Sequence, residues 1–241
     1  MSHLTKILPL CGLAALFTSC ATYVTPGRQA DLSTFTDPKV KKAFVAKPAI
    51  RFPANLALVR VQESGYSSES THGYGSGAYS VITTKEIETE KDLDALAKLP
   101  GIAGVVRLNR LLLPTTLSSD LDLREAAAKL QTDAVVIYTI ATDFSDHDVI
   151  APLTTLTLGF APNTRYKIHS TAAAVVMDTK TGYIYGALEE DDSRSGLTIG
   201  WGSSEAIDEA RKKAERAALE KLLASFEPFW ERIYRRYRGG N

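Results

Sequence analysis

Three hydrophobic rhythms follow one another along the chain. Residues 7–17 (ILPLCGLAALF) are almost uniformly apolar, a stretch of about eleven residues that is too short to cross a bilayer as a helix. Residues 21–52 are rich in Thr, Pro, Lys and Ala and show no sustained period, which is the composition of a tether. Beyond them, short β-branched runs alternate with segments of helical spacing. Residues 56–61 (LALVRV) predict a first strand, 63–77 a polar Gly/Ser loop and 78–87 a second extended segment. Leu93, Leu96, Ala97 and Leu99 fall at helical spacing before Pro100-Gly101, and 105–113 read as a strand.

The second half of the pattern is clearer. Ser119 or Asp120 caps a helix whose apolar face is Leu123, Ala126, Ala127 and Leu130. A short turn leads into 134–144 (AVVIYTIATDF), apolar enough to lie centrally in a covered sheet. Strands over 166–177 and 183–188 flank the turn Asp178-Thr179-Lys180-Thr181-Gly182. Ser203 or Ser204 opens a long helix with Ile207, Ala210, Ala214, Ala217, Leu222 and Phe226 on its inner face. Pro228 predicts a kink or a fresh start, after which Phe229, Trp230, Ile233, Tyr234 and Tyr237 continue the apolar face among arginines. The alternation of β and α units predicts an α/β fold: a single mixed sheet flanked by helices, with a long C-terminal helix. One domain over 53–241 accounts for the pattern, with no internal repeat.

Cysteine placement changes the picture of the amino terminus. The chain has two cysteines, Cys11 and Cys20, both within the first twenty residues. Lys6 precedes the apolar run, and Leu16-Phe17-Thr18-Ser19-Cys20 resembles a bacterial lipobox, with Phe17 where Leu is usual. Residues 1–19 are therefore expected to be a signal peptide and Cys20 the acylated first residue of the mature chain. Several acyl chains on one cysteine anchor a protein stably, whereas one chain binds only marginally. Ala21, in place of Asp, implies the outer membrane, facing the periplasm. Charge adds little: Lys plus Arg and Asp plus Glu are both 28, so no net field draws the chain toward nucleic acid.

Two segments carry a family resemblance. LREAAAKLQTDAVVIYTI followed by VVMDTKTGYIYGALEED resembles bacterial envelope lipoproteins of the CsgG/LpoB/TolB-amino-terminal type, with matching residues at 126–138 and 176–184. The chain is also similar to the "rhombotarget" lipoproteins described alongside rhomboid-family proteases. Those carry a glycine-rich sorting tail, whereas here Gly239-Gly240 has no apolar tail behind it. The resemblance implies an envelope domain that binds other proteins and is not an enzyme.

Tests for chemistry yield no catalytic residue, metal site or cofactor. No serine is centred in Gly-x-Ser-x-Gly. Gly73-Tyr74-Gly75-Ser76-Gly77 has the glycines of a phosphate loop without its lysine. His72, His147 and His169 lie at metal-ligand spacing neither to one another nor to a cysteine. Asp143, Asp146, His147 and Asp148 form the densest polar cluster, at a strand end where solvated turns are common, and Glu189-Glu190-Asp191-Asp192 reads as a solvated strand exit. An enzyme reading requires Asp143, His147 and Glu189 around one cleft.

Contact features stand higher. Residues 149–163 (VIAPLTTLTLGFAPN) are apolar for a connection, and Val149, Ile150, Leu153, Leu156, Leu158 and Phe160 are candidates for partner or membrane contact. The alternative is a further strand or a lid on the core. In the terminal FWERIYRRYR, Phe229, Trp230, Tyr234 and Arg235 are candidates of the same kind, or else Trp230 docks on the domain while the arginines stay wet. The leading expectation is a membrane-anchored, non-enzymatic lipoprotein that scaffolds or binds another envelope component. A pore or secretion subunit inserting 149–163 is the alternative, and an envelope hydrolase or metal-binding protein the second alternative. Oligomeric state is open.

Overall fold

The computed structural model describes residues 45–148, 164–198 and 204–239. At its centre is β1 (Ala54–Glu63), eight of whose ten residues are buried, from Ala54 and Leu56 through Gln62. A strand buried on both faces needs partners on both edges, and β1 has them. One edge pairs in parallel with β6 (Ala134–Asp148) from Leu56 opposite Ala134 to Arg60 opposite Tyr138. The other edge is shared: its first half pairs in parallel with β4 (Ile102–Arg107) and its last residues pair antiparallel with β3 (Tyr79–Ile82). Antiparallel β7 (Thr164–Asp178) and β8 (Ile184–Thr198) extend the sheet to the order β3-β1-β6-β7-β8, with β4 beside β1. Two short strands, β2 (Ser76–Gly77) and β5 (Thr116–Leu117), form a separate ladder. The expected mixed α/β sheet is the observed one.

Helices cover the two faces. Side chains of even number in β1, β6 and the inner half of β7 (Leu56, Leu58, Val136, Ala174) pack against α1 (Glu90–Ala97) and α3 (Ser204–Tyr237). Those of odd number (Ala57, Val59, Val135, Ile137, Val175) pack against α2 (Asp120–Lys129) through Leu123, Ala126 and Ala127. This is the period-two alternation of a strand, with both faces apolar because both are covered. Ser119 caps α2, and its capping box with Asp122 satisfies donors that the first turn leaves free.

Several boundaries differ from the sequence reading, each for a physical reason. The strand expected over 105–113 ends at Arg107, and a 3-10 turn (Arg110–Leu112) follows. The strand expected to stop at 188 runs to Thr198, because its polar residues stay in register with β7 along an edge that needs no apolar pattern. The helix runs through Pro228 without a break; Pro228 is on the exposed side. The tether expected to reach residue 52 ends sooner. Ile50 is buried, and Phe52 packs edge-on against Trp230 and Tyr234 at 6.0 and 5.1 Å between ring centres.

The far end of α3 is held by aromatic packing. Trp230 is fully buried, stacks on Phe226 and donates its indole N–H to Pro100 O at 3.0 Å. Gly101, next to that carbonyl, has φ 75°, and the Tyr234 ring lies 2.5 Å from where a Cβ would stand. No other residue type fits there without moving the ring. Trp230→Ala empties the centre of this cluster and should cost about 3–5 kcal/mol, read as a lower denaturant midpoint with the slope unchanged.

Candidate functional site

The apolar face toward α3 changes character partway along the strands. After Ala54, Leu56 and Leu58, the same face of β1 carries Arg60 and Gln62; β6 reaches Thr142, and β7 carries Ser170. Opposite them, the first half of α3 buries Asp208, Arg211 and Glu215. A charged group in such a place persists only if it is paired and hydrogen-bonded. Arg60 Nη2 donates to Glu215 Oε2 at 2.9 Å, with both side chains essentially without solvent. Arg211 Nη1 donates to Glu215 Oε1 at 2.8 Å and its Nε to Asp208 Oδ1 at 2.9 Å, and it also contacts Glu86. Thr142 donates to Glu215, Ser70 donates to Glu86 at 2.6 Å, and the Arg60 guanidinium lies over the Tyr66 ring.

Charge bookkeeping explains the odd member. Glu86, Asp208 and Glu215 face Arg60, Arg211 and Lys212, the last 3.0 Å from Asp208, so three anions meet three cations. Burial works to raise the Glu86 carboxyl, yet the Ser70 hydroxyl and the Arg211 and Arg60 guanidiniums outweigh it and hold Glu86 below the ordinary range. Asp208 is held down likewise, against burial, by Lys212 and Arg211. Glu88 is a further buried carboxyl beside them, with no cation at ion-pair distance among the described residues; burial pushes it up, against a weaker pull from Arg60. The Tyr138 hydroxyl donates to its Oε1, and its Oε2 has no partner among the described residues. The concavity beside it, between Leu58, Leu96, Tyr138 and Phe226, measures about 20 Å³, room for a water and too little for a substrate. This network is therefore a clamp that holds α3 on the sheet.

The clamp holds α3 alongside a ribbon with two distinct ends. Ladder pairing of β1 with β6 stops at Tyr138, whereas β6, β7 and β8 stay paired to Asp148, Thr164 and Thr198. The ribbon thus continues past the last β1–β6 pair by about 30 Å, and its strands measure about 50 Å from end to end. Helix α3, also about 50 Å long, returns along it. Lys221 pairs with Asp192 and Ser225 with Glu190, and the Tyr237 hydroxyl meets that of Tyr183. At the near end the incoming chain is strapped down. Asp178 Oδ2 accepts from Ala49 N and from the Tyr185 hydroxyl, both at 2.7 Å, while its Oδ1 accepts from Lys180 N and Thr181 N to close the β7–β8 turn. The Tyr185 oxygen also accepts from Ile50 N.

The sequence candidates separate accordingly. Trp230 and Phe229 are core residues and offer no contact surface; Tyr234 is half-buried against Phe52, and Arg235 is exposed. Cys20 and the candidates Val149, Ile150, Leu153, Leu156, Leu158 and Phe160 lie outside the described residues. Asp143 lies opposite His169, and Glu189 lies opposite Ala173, about 13 Å further along β7. Asp143 and His147 are a similar distance apart on β6, so the three do not share one cleft. His169 Nδ1 is 2.8 Å from the Ser193 hydroxyl and 4.0 Å from Asp191. Serine and aspartate thus face the same ring nitrogen, where a nucleophile–base–orienter relay needs one on each. Among the described residues no cluster of three His, Cys, Asp or Glu is placed to hold a metal. The inner face expected for α3 differs too: Asp208, Arg211 and Glu215 are buried, while Ile207, Ala210 and Ala217 are only partly so. The signal was present as Arg60 within an otherwise apolar strand, together with acid and base four residues apart on α3.

No protein-family model and no curated protein matches the chain. Among solved structures, it is similar to a Xanthomonas campestris protein of the DUF330 family, with 10% identity over 88% of this chain and 98% of that one, at a TM-score of 0.39. It is also similar to the PelC dodecamer from Paraburkholderia phytofirmans, with 8% identity over 74% of this chain and 92% of that one, at a TM-score of 0.30. Superpositions this loose carry neither residues nor activity across.

Two outcomes follow from the clamp. Glu215→Leu strands Arg60 without its close partner and should cost about 3–5 kcal/mol in urea unfolding. Glu88 has its folded pKa raised, so its contribution to stability is full at low pH and declines as pH rises above about 4.3. Glu88→Gln should abolish that decline: the variant is at least as stable as the parent at pH 8, and the difference closes near pH 4.

Proposed function

We propose that this chain is a membrane-anchored, non-enzymatic envelope lipoprotein that holds another envelope component at a distance from the membrane in which its lipid sits. One observation supports the reading above the others. The strap at residues 49–52 joins the domain at the Asp178 end, and the three-stranded ribbon projects from the opposite end. Residues 149–163 connect Asp148 to Thr164, which are paired, so the apolar connection leaves and rejoins the ribbon at its far tip. A tethered domain whose paired ribbon ends about 50 Å from the strap is suited to reach a partner. The segments behind the sequence resemblance, 126–138 and 176–184, form the α2–β6 unit and the β7–β8 turn, the latter holding the strap through Asp178.

The anchor is tested with Cys20→Ser in the full chain, which should move from the membrane to the soluble fraction; retention in the membrane overturns the lipid reading. Residues 21–241, without the lipid, should have the same protein mass per particle with and without detergent. A large ring formed only in detergent would favour the pore.

A further inference from the structure

We propose that the strap end of the domain, centred on the last turns of α3, docks flat on an anionic phospholipid surface. The proposal rests on the lipoprotein reading, because the tether is what brings this end to a membrane.

Arg232, Arg235, Arg236 and Arg238 are all exposed. Arg235 donates to the Glu231 carbonyl at 3.4 Å and approaches its carboxylate at 3.9 Å, while the others lie over aromatic rings, Arg232 on Phe229, Arg236 on Tyr237 and Arg238 on Tyr234. Stacking on a ring leaves the guanidinium charge and most of its donors turned to solvent. A helix C-terminus attracts cations through its dipole, which accounts for some of these arginines. It does not account for exposed Arg51, on the strap beside Phe52, or for Lys180 in the β7–β8 turn whose carbonyl Arg124 holds. Three separate elements thus place cations on one end.

The rest of the molecule makes that end directional. The chain carries 28 basic and 28 acidic side chains, so a cationic excess here is balanced by an anionic excess elsewhere. Glu189, Glu190, Asp191 and Asp192 lie along β8 toward the ribbon. A body charged in this way turns its strap end to an anionic plane and its ribbon away. The attraction takes hold within a Debye length of about 8 Å. Guanidinium groups suit the occupant, because their fork of donors matches phosphate oxygens. Each basic residue near such a surface shifts partition on the order of fivefold.

The test uses the full, lipidated chain in vesicles of phosphatidylglycerol and phosphatidylcholine carrying a headgroup quencher. A fluorophore is placed through Gly239→Cys at the end of α3 or through Ser195→Cys on the ribbon; both positions are exposed. Flotation reads the anchor and quenching reads the docking. The label at 239 should be quenched and that at 195 should not, with quenching lost in pure phosphatidylcholine and at high salt. Arg235→Glu, Arg236→Glu and Arg238→Glu together should remove it while the protein still floats, and the corresponding Arg→Lys set should keep it. Flotation with position 239 unquenched, or with quenching indifferent to lipid charge, overturns the docking and leaves the anchor standing. A chain that does not float overturns the anchor and the docking with it.

Discussion

A charged helix face laid on a sheet must either stay wet or bring every partner with it. Helix α3 does the second. Its first half would expose the even face of β1, β6 and β7 if it lifted away, yet it meets that face with Asp208, Arg211 and Glu215 in place of apolar side chains. Arg60 is what makes this possible: it supplies from the sheet the cation that Glu215 needs, while Arg211 supplies from the helix the one that Glu86 needs. The helix charges close their geometry, while on the sheet side Arg60 Nη1 and Glu86 Oε2 stand 3.8 Å apart without a hydrogen bond among the described residues, so part of the desolvation cost is left unrecovered. The apolar second half of α3, from Ala218 to Ile233, provides the burial energy, and the charged first half sets the register.

That register determines where the ends of the molecule lie. With Glu215 fixed beside Thr142 and Ser170, the remaining helix reaches the β7–β8 turn, where Trp230 seats under Pro100 and Tyr237 meets Tyr183. The strap then has a surface to bind: Phe52 finds the Trp230–Tyr234 edge, and Asp178 accepts Ala49 N. The ribbon end follows from the same constraint, since β6, β7 and β8 outrun β1 and α3 returns along them. Strap, arginines and aromatic cluster gather at one pole because the clamp leaves the helix a single length to run.

Asp178 shows how a turn residue acquires a second use. One carboxylate oxygen closes the β7–β8 turn in the manner usual for aspartate, and Gly182 completes it at φ 72°. The other oxygen, pointing back, holds the incoming chain and the Tyr185 hydroxyl. The Val-Met-Asp segment that carries part of the family resemblance is thus a structural joint between turn and strap.

Local pattern by itself determined the elements: β1, α2 with its Ser119 cap, the inner half of β6, the Asp178–Gly182 turn and the long last helix are all set by spacing, capping and turn chemistry acting over a few residues. It also leads to the expectation of a lipidated Cys20 and of a single domain of mixed sheet and helices behind a tether. Position in space was decided elsewhere. That 189–198 continues β8 depends on a ladder with β7, which a polar run does not announce. That Trp230 lies in the core while Arg235 stays outside depends on Phe52 and Pro100, far away in the chain. The burial of Arg60, Arg211 and Glu215 is the sharpest case: helical periodicity assigns charges to water, and only partners brought from distant segments make their burial affordable. Long-range pairing is invisible to a short window because its energy belongs to two segments at once.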